Sequence, residues 1–564
     1  MTEVRESRSS LEDASPPDGA SVSLANAAIR PVAALRGWMN AKPSWRFPLV
    51  AFLAGALLTA TFAPLSFFPA AFIAFPLMIV LIDCAKSRQQ AFALGWWTGF
   101  GLFSIGLTWI GHSFTQQDNV PVILAPFAIF ALAGLMALYI AATFWVSWRL
   151  WVRGPLRVVL FTAVWMLFEF ARGYWFTGFP WHLAGSMWAD WLPVAQLASL
   201  ISIYGLSALT VLGFSVLAVF LSGRPSKIGY GLVAALALIF GFGTLWGQMR
   251  LQDNDTKYDL TVSLRLVQAN VKQRDKWRSY LIDDHFDKHM NLSRGNSTRG
   301  RAEGVKLLIW PETAVQRENF DREASLLRWR MSRMLEFGSY AITGAPRFER
   351  TTEGANYFNS MFAFNSRGQL YARYDKKHLV PFGEYLPFQG VLRALGLEQL
   401  TGGASFTAGP SAQTIRLPGI PAFSPLICYE VIFPGRVALQ ADRPKWLLNI
   451  TNDGWFGLTN GPYQHLGLAR FRAIEEGLPL VRSASTGVSA VIDSYGRTVA
   501  SLKVDHSGVL DSPLPLPLDA PAYSAGFKMM LTLSLVLLVA TVFLVAAIRK
   551  ARRQPGTEPA ATTQ

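Results

Sequence analysis

The sequence predicts a multi-pass α-helical membrane domain joined to a soluble α/β domain, and three observations carry that prediction. Hydrophobic residues make up 51% of the 564, with 19 Trp and 39 Phe, and they crowd into the first 250 residues and one late segment. Basic residues gather in alternate loops between the apolar runs, as they do in membrane proteins with a defined orientation. Between about 250 and 525, short strand-like runs alternate with helix-like ones, the pattern of sheets covered by helices.

The apolar runs predict spans at 47–63, 66–82, 91–111, 121–146, 155–171, 196–221, 228–246 and 529–548. The fifth is the weakest, because it ends in Glu169 and Arg172. The uncharged stretch 191–223 is longer than one crossing, which places its start along the interface. Arg36, Lys42, Arg46, Lys86, Arg88, Arg149, Arg153, Arg157, Arg224, Lys227 and the Arg549–Arg553 cluster all fall on one side of this arrangement. That side is cytoplasmic by the positive-inside rule, both termini lie there, and the 250–525 insert faces outward. The first 40 residues are polar and rich in Ser, Pro and Ala, which predicts disorder, and they lack a cleavable signal pattern. The domains expected are a tail at 1–46, seven helices at 47–247, the insert at 248–525, a last helix at 526–548 and a second tail at 549–564. The net charge of +15 suits anionic lipid better than nucleic acid, since no basic stretch is interleaved with aromatics.

Within the insert, strands are expected at Leu260–Val271, Val305–Trp310, Tyr340–Gly344, Asn359–Asn365, Gln369–Tyr374, Ala422–Ile427, Trp446–Ile450 and Ser489–Asp493. Helices are expected up to about Asn296, over Arg322–Phe337 and over Gln464–Glu476. Ser366-Arg367-Gly368 and Ser494-Tyr495-Gly496 are turn signals. A Leu/Phe/Gly-rich stretch from Glu384 to Pro410 has no period and is expected to be a long loop.

Three residues at ends of strand-like runs make a chemical set. Cys428 follows Ala422–Ile427, Glu312 follows Ile309-Trp310-Pro311, and Lys376 follows Tyr374-Asp375. A thiol attacks an ester or amide as thiolate and needs a base, for which Glu312 suffices if partly desolvated. The attack builds an oxyanion that Lys376 and the Tyr429 backbone N–H are placed to stabilise. Glu384 and Glu430 are candidates to orient the lysine or relay protons. Taken singly, a cysteine is more often a small buried hydrophobe, and a carboxylate or lysine an exposed ion pair; it is the set that favours a site. Cys84 and Cys428 are expected on opposite membrane faces, without a disulfide. His378 and His465 lack a second histidine at ligand spacing, so structural roles are favoured and no metal or other cofactor is expected. Asn452-Asp453 is expected to hold a turn near the site. Glu169 and Arg172 read as a pair bracing the domain junction, or as a headgroup contact.

The motifs W-P-E at 310–312, K-x-H-L-V-P-F-G-E at 376–384 and C-Y-E at 428–430 resemble the Glu-Lys-Cys triad of the nitrilase superfamily. With the membrane arrangement, and with F-T-G-F-P-W at 176–181, V-Q-A-N-V-K-Q-R-D-K-W at 267–277, N-I-T-N-D-G-W-F-G at 449–457 and R-S-A-S-T-G at 482–487, the resemblance narrows to the apolipoprotein N-acyltransferases. It runs from Phe47 to about Ile548. One departure stands at Ala484-Ser485, where the family often carries Thr-Asn. The resemblance implies an αββα nitrilase-like sandwich on an eight-helix membrane domain. It implies that Cys428 takes an acyl chain from a phospholipid as a thioester and passes it to the α-amine of a diacylglyceryl-cysteine at an apolipoprotein N-terminus. Glu312 is then the base, Lys376 and Glu384 support the transition states, Tyr429 and Glu430 line the site, and Trp277 lies near the lipid. Localisation in a bacterial inner membrane, with the catalytic domain periplasmic, follows from the same resemblance.

Two other readings remain open on the residues alone. A membrane-anchored amidase or nitrilase would use the same triad and pass the acyl group to water, although one anchor would suffice for it. A transporter with an outer domain would predict paired repeats and intramembrane charges, which the sequence does not display. Leu386, Phe388, Val391, Leu392 and Leu395 are expected either to form an apolar, mobile approach to the thiol or to cap the insert's own core.

Overall fold

The computed structural model describes residues 33–552 apart from 42–43, 118–120, 222–225, 296, 298–299, 318–319, 323–324, 353, 386, 388–404 and 520–523. Leu386, Phe388, Val391, Leu392 and Leu395, expected either to form an approach to the thiol or to cap the core, therefore lie outside the described residues.

Each predicted span holds a helix: α1 (Arg46–Thr59), α2 (Ala71–Cys84), α3 (Arg88–Gly106), α4 (Ala125–Arg149), α5 (Leu156–Tyr174), α6 (Ala198–Ser215) and α7 (Lys227–Gln252) ahead of the insert. The last, α11 (Ala525–Arg552), follows the insert. Among the described residues, four segments are long and apolar enough to cross a membrane: Val122–Arg149, Ala198–Leu221, Lys227–Gln252 and Ala525–Ile548. The long uncharged stretch is divided, with a short helix at Leu192–Ala195 and a break in α6 at Ser202, where φ is 62° and ψ 171°. That division is how more apolar residues than one crossing needs are accommodated. In α5, the buried Glu169 accepts from Trp165 Nε1 at 3.0 Å and from the Ala184 backbone at 3.1 Å. Buried Arg172 donates to the carbonyls of Phe179, Trp181 and His182. Through these bonds the two charges tie down the 172–195 connection.

Among the described residues, the insert folds into two six-stranded sheets. The first is built from β1 (Tyr258–Gln268), β2 (Leu307–Ile309), β3 (Tyr340–Thr351), β4 (Gly354–Asn365), β5 (Leu370–Asp375) and β12 (Gly508–Pro515), in the order β12-β1-β2-β3-β4-β5. The second has β6 (Ile415–Leu417), β7 (Ile420–Ile427), β8 (Trp446–Thr451), β9 (Leu480–Ala484), β10 (Ser489–Ile492) and β11 (Thr498–Leu502), in the order β11-β10-β9-β8-β7-β6. Central strands run parallel in both, β1-β2-β3 and β7-β8-β9, with antiparallel strands outside. Alternate side chains of both sheets (Leu264, Leu266, Ile309 and Ile342 against Ile427, Leu448, Ile450 and Val481) meet in one buried core. The outer face of the first sheet is covered by α8 (Ile282–Arg294) and α9 (Leu326–Ser332) through Phe286, Met290 and Met331. The second sheet is covered by α10 (Gly461–Glu476), whose Leu468, Phe471 and Ile474 share a core with the membrane helices. This is an αββα sandwich with one outer layer merged into the membrane domain. The helix expected over Arg322–Phe337 is confined to α9, with Ser325 accepting from Arg328 N as its N-cap.

The connections poor in basic residues are the ones that touch the insert. Gln464 donates to Ala63 O at 3.2 Å and accepts from Trp181 Nε1 at 2.7 Å. Trp109 and Phe456 stack edge-on at 4.5 Å, and Arg470 pairs with Asp190 at 2.7 Å.

Candidate active site

Strand β7 delivers Cys428 to a corner at which φ is +52°, and a single 3-10 turn, Cys428–Ile432, leads away. Positive φ is costly for a residue with a Cβ, so the surroundings must enforce it. Glu430 does so from three residues away from Ile427, accepting that residue's N–H at 2.7 Å, and Asn449 of β8 donates to the Cys428 carbonyl at 3.3 Å. The thiol is buried. Burial pushes it up to about 12, with Glu312 adding to the push, Lys376 opposing it and Thr451 hydrogen-bonding it.

Parallel pairing of β1, β2 and β3 fixes the end of β2, from which Trp310-Pro311-Glu312 projects. Gly344 of β3 lies so close that a Cβ there would stand 2.5 Å from Thr313 N and 2.8 Å from Glu312 Cα. Lys376 follows β5 and is 1% exposed; its ammonium lies 3.7 Å from Glu312 Oε1 and 2.9 Å from Glu384 Oε2. Burial opposes this charge, but Glu384 and then Glu312 outweigh it and hold the lysine protonated, well above its ordinary range. Asn359 of β4 bridges the two carboxylates, donating to Glu312 Oε1 at 2.7 Å and to Glu384 Oε1 at 3.0 Å. Glu384 Oε2 also accepts the Val380 N–H at 2.8 Å, so the glutamate holds its own loop in place. The second oxygen of Glu312 is buried and has no hydrogen-bond partner among the described residues.

Thus Glu312, Lys376, Glu384 and Cys428 come together. Glu430 does otherwise than expected. Its oxygens are taken by Tyr374 Oη and the N–H groups of Ile427, Lys377 and His378. It neither orients the lysine side chain nor stands free to relay a proton. Instead it ties the backbone beyond Lys376 to the cysteine corner. The hydroxyl of Tyr429 donates to Gly178 O at 2.9 Å. His378 packs on Phe433 at 4.0 Å and is brought down to about 4, chiefly by burial. His465 faces Asp453 at 3.1 Å, and Asp453 in turn binds Arg482 at 2.6 Å. Asp453 is buried, yet Arg482 and His465 hold its carboxyl far below the ordinary range. Asn452 caps the turn Asp453–Trp455 through Gly454 N. At Ala484-Ser485 the backbone supplies the contacts: Ser485 N donates to Thr451 O, and Ser485 O accepts from Asn270 N. Both cysteines are free.

Trp277 is 49% exposed at the end of the 273–277 turn. Its neighbour Lys276 is fully buried and donates to the Glu312 carbonyl at 3.1 Å. Sequence reasoning singles out neither Lys276 nor Asn359. Lys276 lies inside the 267–277 motif, where a lysine beside an aromatic was the available signal; Asn359, in the middle of a strand, offers none. Among the described residues no group of three or more His, Cys, Asp or Glu side chains is disposed to hold a metal ion.

Comparison with known proteins matches both halves. Residues 54–217 match the apolipoprotein N-acyltransferase N-terminal domain, and residues 263–518 match the carbon-nitrogen hydrolase family. The apolipoprotein N-acyltransferase of Rhodopseudomonas palustris is 40% identical over 527 residues, covering 91% of this chain and 96% of the relative. That of Brucella melitensis is 36% identical over 538 residues, covering 92% and 99%. Among solved structures, a CN-hydrolase superfamily protein of Xanthomonas campestris aligns at 20% identity with a TM-score of 0.33, over 45% of this chain and 90% of its own. With relatives of this identity matched over nine-tenths of its length, the chain belongs to the apolipoprotein N-acyltransferase family.

Proposed function

We propose that this enzyme moves an acyl chain from a phospholipid to the α-amine of an N-terminal diacylglyceryl-cysteine on an apolipoprotein, with Cys428 as the carrier. The buried cluster of Glu312, Lys376, Glu384 and Cys428, at the end of the sandwich that meets the membrane domain, carries this reading.

In the first half, the Cys428 proton passes to Glu312 as Sγ bonds to the ester carbonyl carbon. The oxyanion is met by the Lys376 ammonium and the Tyr429 N–H. Collapse breaks the ester C–O bond; the lysophospholipid alkoxide takes the proton back from Glu312, leaving a thioester. In the second half, the acceptor amine bonds to the thioester carbon and yields a proton to Glu312. The C–S bond breaks, the thiolate recovers that proton, and the product is an amide. A thiol held so far above its ordinary range stays protonated between turnovers, so thiolate forms only as substrate and base engage it. Glu384 holds Lys376 in place and charged, while Asn359 fixes the two carboxylates relative to each other. Trp277, exposed beside the buried Lys276, is assigned to the lipid approach.

We further place both termini in the cytoplasm and the catalytic domain in the periplasm, with the boundaries at 47–247, 248–525 and 526–548. The support is that the connections poor in Lys and Arg are those that touch the catalytic domain.

The test is intact mass of the detergent-solubilised full chain after incubation with phosphatidylethanolamine, alongside Cys428→Ala, followed by a diacylglyceryl peptide. An acyl adduct that needs Cys428, yields to hydroxylamine and moves to the peptide amine is expected. An adduct lost to water, with the peptide untouched, would make the enzyme a hydrolase.

A further inference from the structure

Lys276 lies within the site but has no part in the chemistry assigned above. It is 1% exposed, and among the described residues the one hydrogen bond of its ammonium is to the Glu312 carbonyl. Burying an ammonium against a neutral carbonyl is costly, so its retention calls for a charge nearby that benefits. The groups that face it come from three elements. Glu312, beyond β2, and Cys428, at the end of β7, both favour its charge. From α8, His285 hydrogen-bonds the Lys276 backbone carbonyl, and His289 stands behind; burial first and Lys276 second keep His289 neutral, and burial does the same for His285. Lys376, at the end of β5, is the other cation acting on the same two acids.

The peptide that Lys276 grips is a strained one. Thr313, next to Glu312, has φ of +46°, and Gly344 presses on the same turn. The charges also match: Glu312 and Glu384 stand against Lys376 and Lys276, so the thiol proton can move to Glu312 while the pocket as a whole stays neutral.

We propose that Lys276 is a positioning residue for acyl loading: it clamps the backbone that carries Glu312 and supplies the second positive charge against which the carboxylate–thiol pair ionises. The inference rests on the acyl-transfer reading above. Its own amine is brought down to about 8 by burial, with Glu312 the main force holding it up, so it is still largely charged at neutral pH.

The test is the single-turnover rate of Cys428 acylation by phosphatidylethanolamine, read by intact mass across about pH 5 to 9, in the full-length enzyme and in Lys276→Met, Lys276→Gln and Lys276→Arg. Met and Gln are expected to slow loading at least about tenfold and to move the acidic limb up by about one pH unit, because the ionised pair loses a cation. Arg is expected to restore the limb. Wild-type rate and limb in the Met variant would overturn the proposal. So would slowing that only tracks lost thermal stability with the limb unmoved. If Met does not fold, identical limbs in Gln and Arg overturn it instead. A wild-type enzyme that forms no Cys428 adduct removes the acyl-transfer reading and this inference together; a wild-type adduct with unshifted variants removes this inference alone.

Discussion

The hydroxyl of Tyr429 donates to the backbone carbonyl of Gly178 at 2.9 Å, joining the residue after the thiol to the turn that follows α5. Gly178 has φ of +80°, and a Cβ there would stand 2.3 Å from the Gly173 carbonyl, so the turn requires glycine. His378 reinforces the same junction, hydrogen-bonding the Thr177 backbone and packing on Phe433. The cysteine corner is thus braced from the membrane side as well as by its own strand.

Tyr429→Phe should expose the value of that brace. It removes one buried hydrogen bond and leaves the Gly178 carbonyl unpaired, a loss of about 1–3 kcal/mol locally. The expected result is a several-fold slower acylation of Cys428 with only a small fall in thermal stability in detergent. A loading rate equal to wild type would show the corner to be rigid without the membrane contact.

Asn359 is the neutral spacer between Glu312 and Glu384. Asn359→Asp places a third carboxylate between them, and the cluster must then take up a proton or separate. Acyl loading should fall about a hundredfold or more, the range over which general-base catalysis operates. Asn359→Ala should fall less, since it loosens the carboxylates without adding charge. Finding Ala as damaging as Asp would point to a steric role for the side chain.

How much of this was readable beforehand follows from what sequence pattern encodes. Glu312, Lys376 and Cys428 stand at the ends of the strand-like runs Val305–Trp310, Gln369–Tyr374 and Ala422–Ile427, so their placement at strand ends was legible from local pattern. What Glu430 holds was not legible, because its four donors come from Ile427, Tyr374, Lys377 and His378, and a sheet-to-sheet register decides that meeting. Strands β6, β9, β11 and β12 were missed: Leu480–Ala484 is a short run with Arg482 buried inside it, and Gly508–Pro515 contains two prolines at a sheet edge. Arg482 reads as a solvent residue until Asp453, brought in on the adjacent strand's end, neutralises it.

The pH behaviour of the thiol separates its two neighbours. Burial and the Glu312 carboxylate push Cys428 up to about 12, so the thiolate fraction should rise about tenfold per pH unit well past pH 9. In a Cys84→Ser background, alkylation by a small neutral reagent should climb without a plateau between about pH 7 and 10. Glu312→Gln removes the negative charge, which lowers the thiol and raises alkylation at a given pH. The same substitution removes the base, so acyl loading should fall by about 10²–10⁴. Opposite movement of the two rates is the signature; a parallel fall would mean that the variant had lost its fold or its access.

The break in α6 carries the last prediction. Ser202 leaves the helical region, and the N–H of Ile203, which opens the second half of α6, donates to Glu475 Oε1 of α10 at 2.7 Å. A helix inside the membrane domain is therefore capped by a carboxylate of the catalytic domain, whose other oxygen pairs with Arg472 at 2.8 Å. An N–H at a helix start left in an apolar interior has no water to turn to, and Arg472 is likewise fully buried. Glu475→Ala leaves both unpaired and should cost about 3–5 kcal/mol, the range for breaking a buried charge pair. Glu475→Gln keeps the acceptor for Ile203 and should cost less. Thermal unfolding in detergent reads the difference, and Cys428 acylation at a permissive temperature should remain near wild type, since Glu475 lies outside the catalytic cluster. An alanine variant that melts with the wild type would mean that the break in α6 is held by its apolar contacts, with the cap contributing nothing measurable.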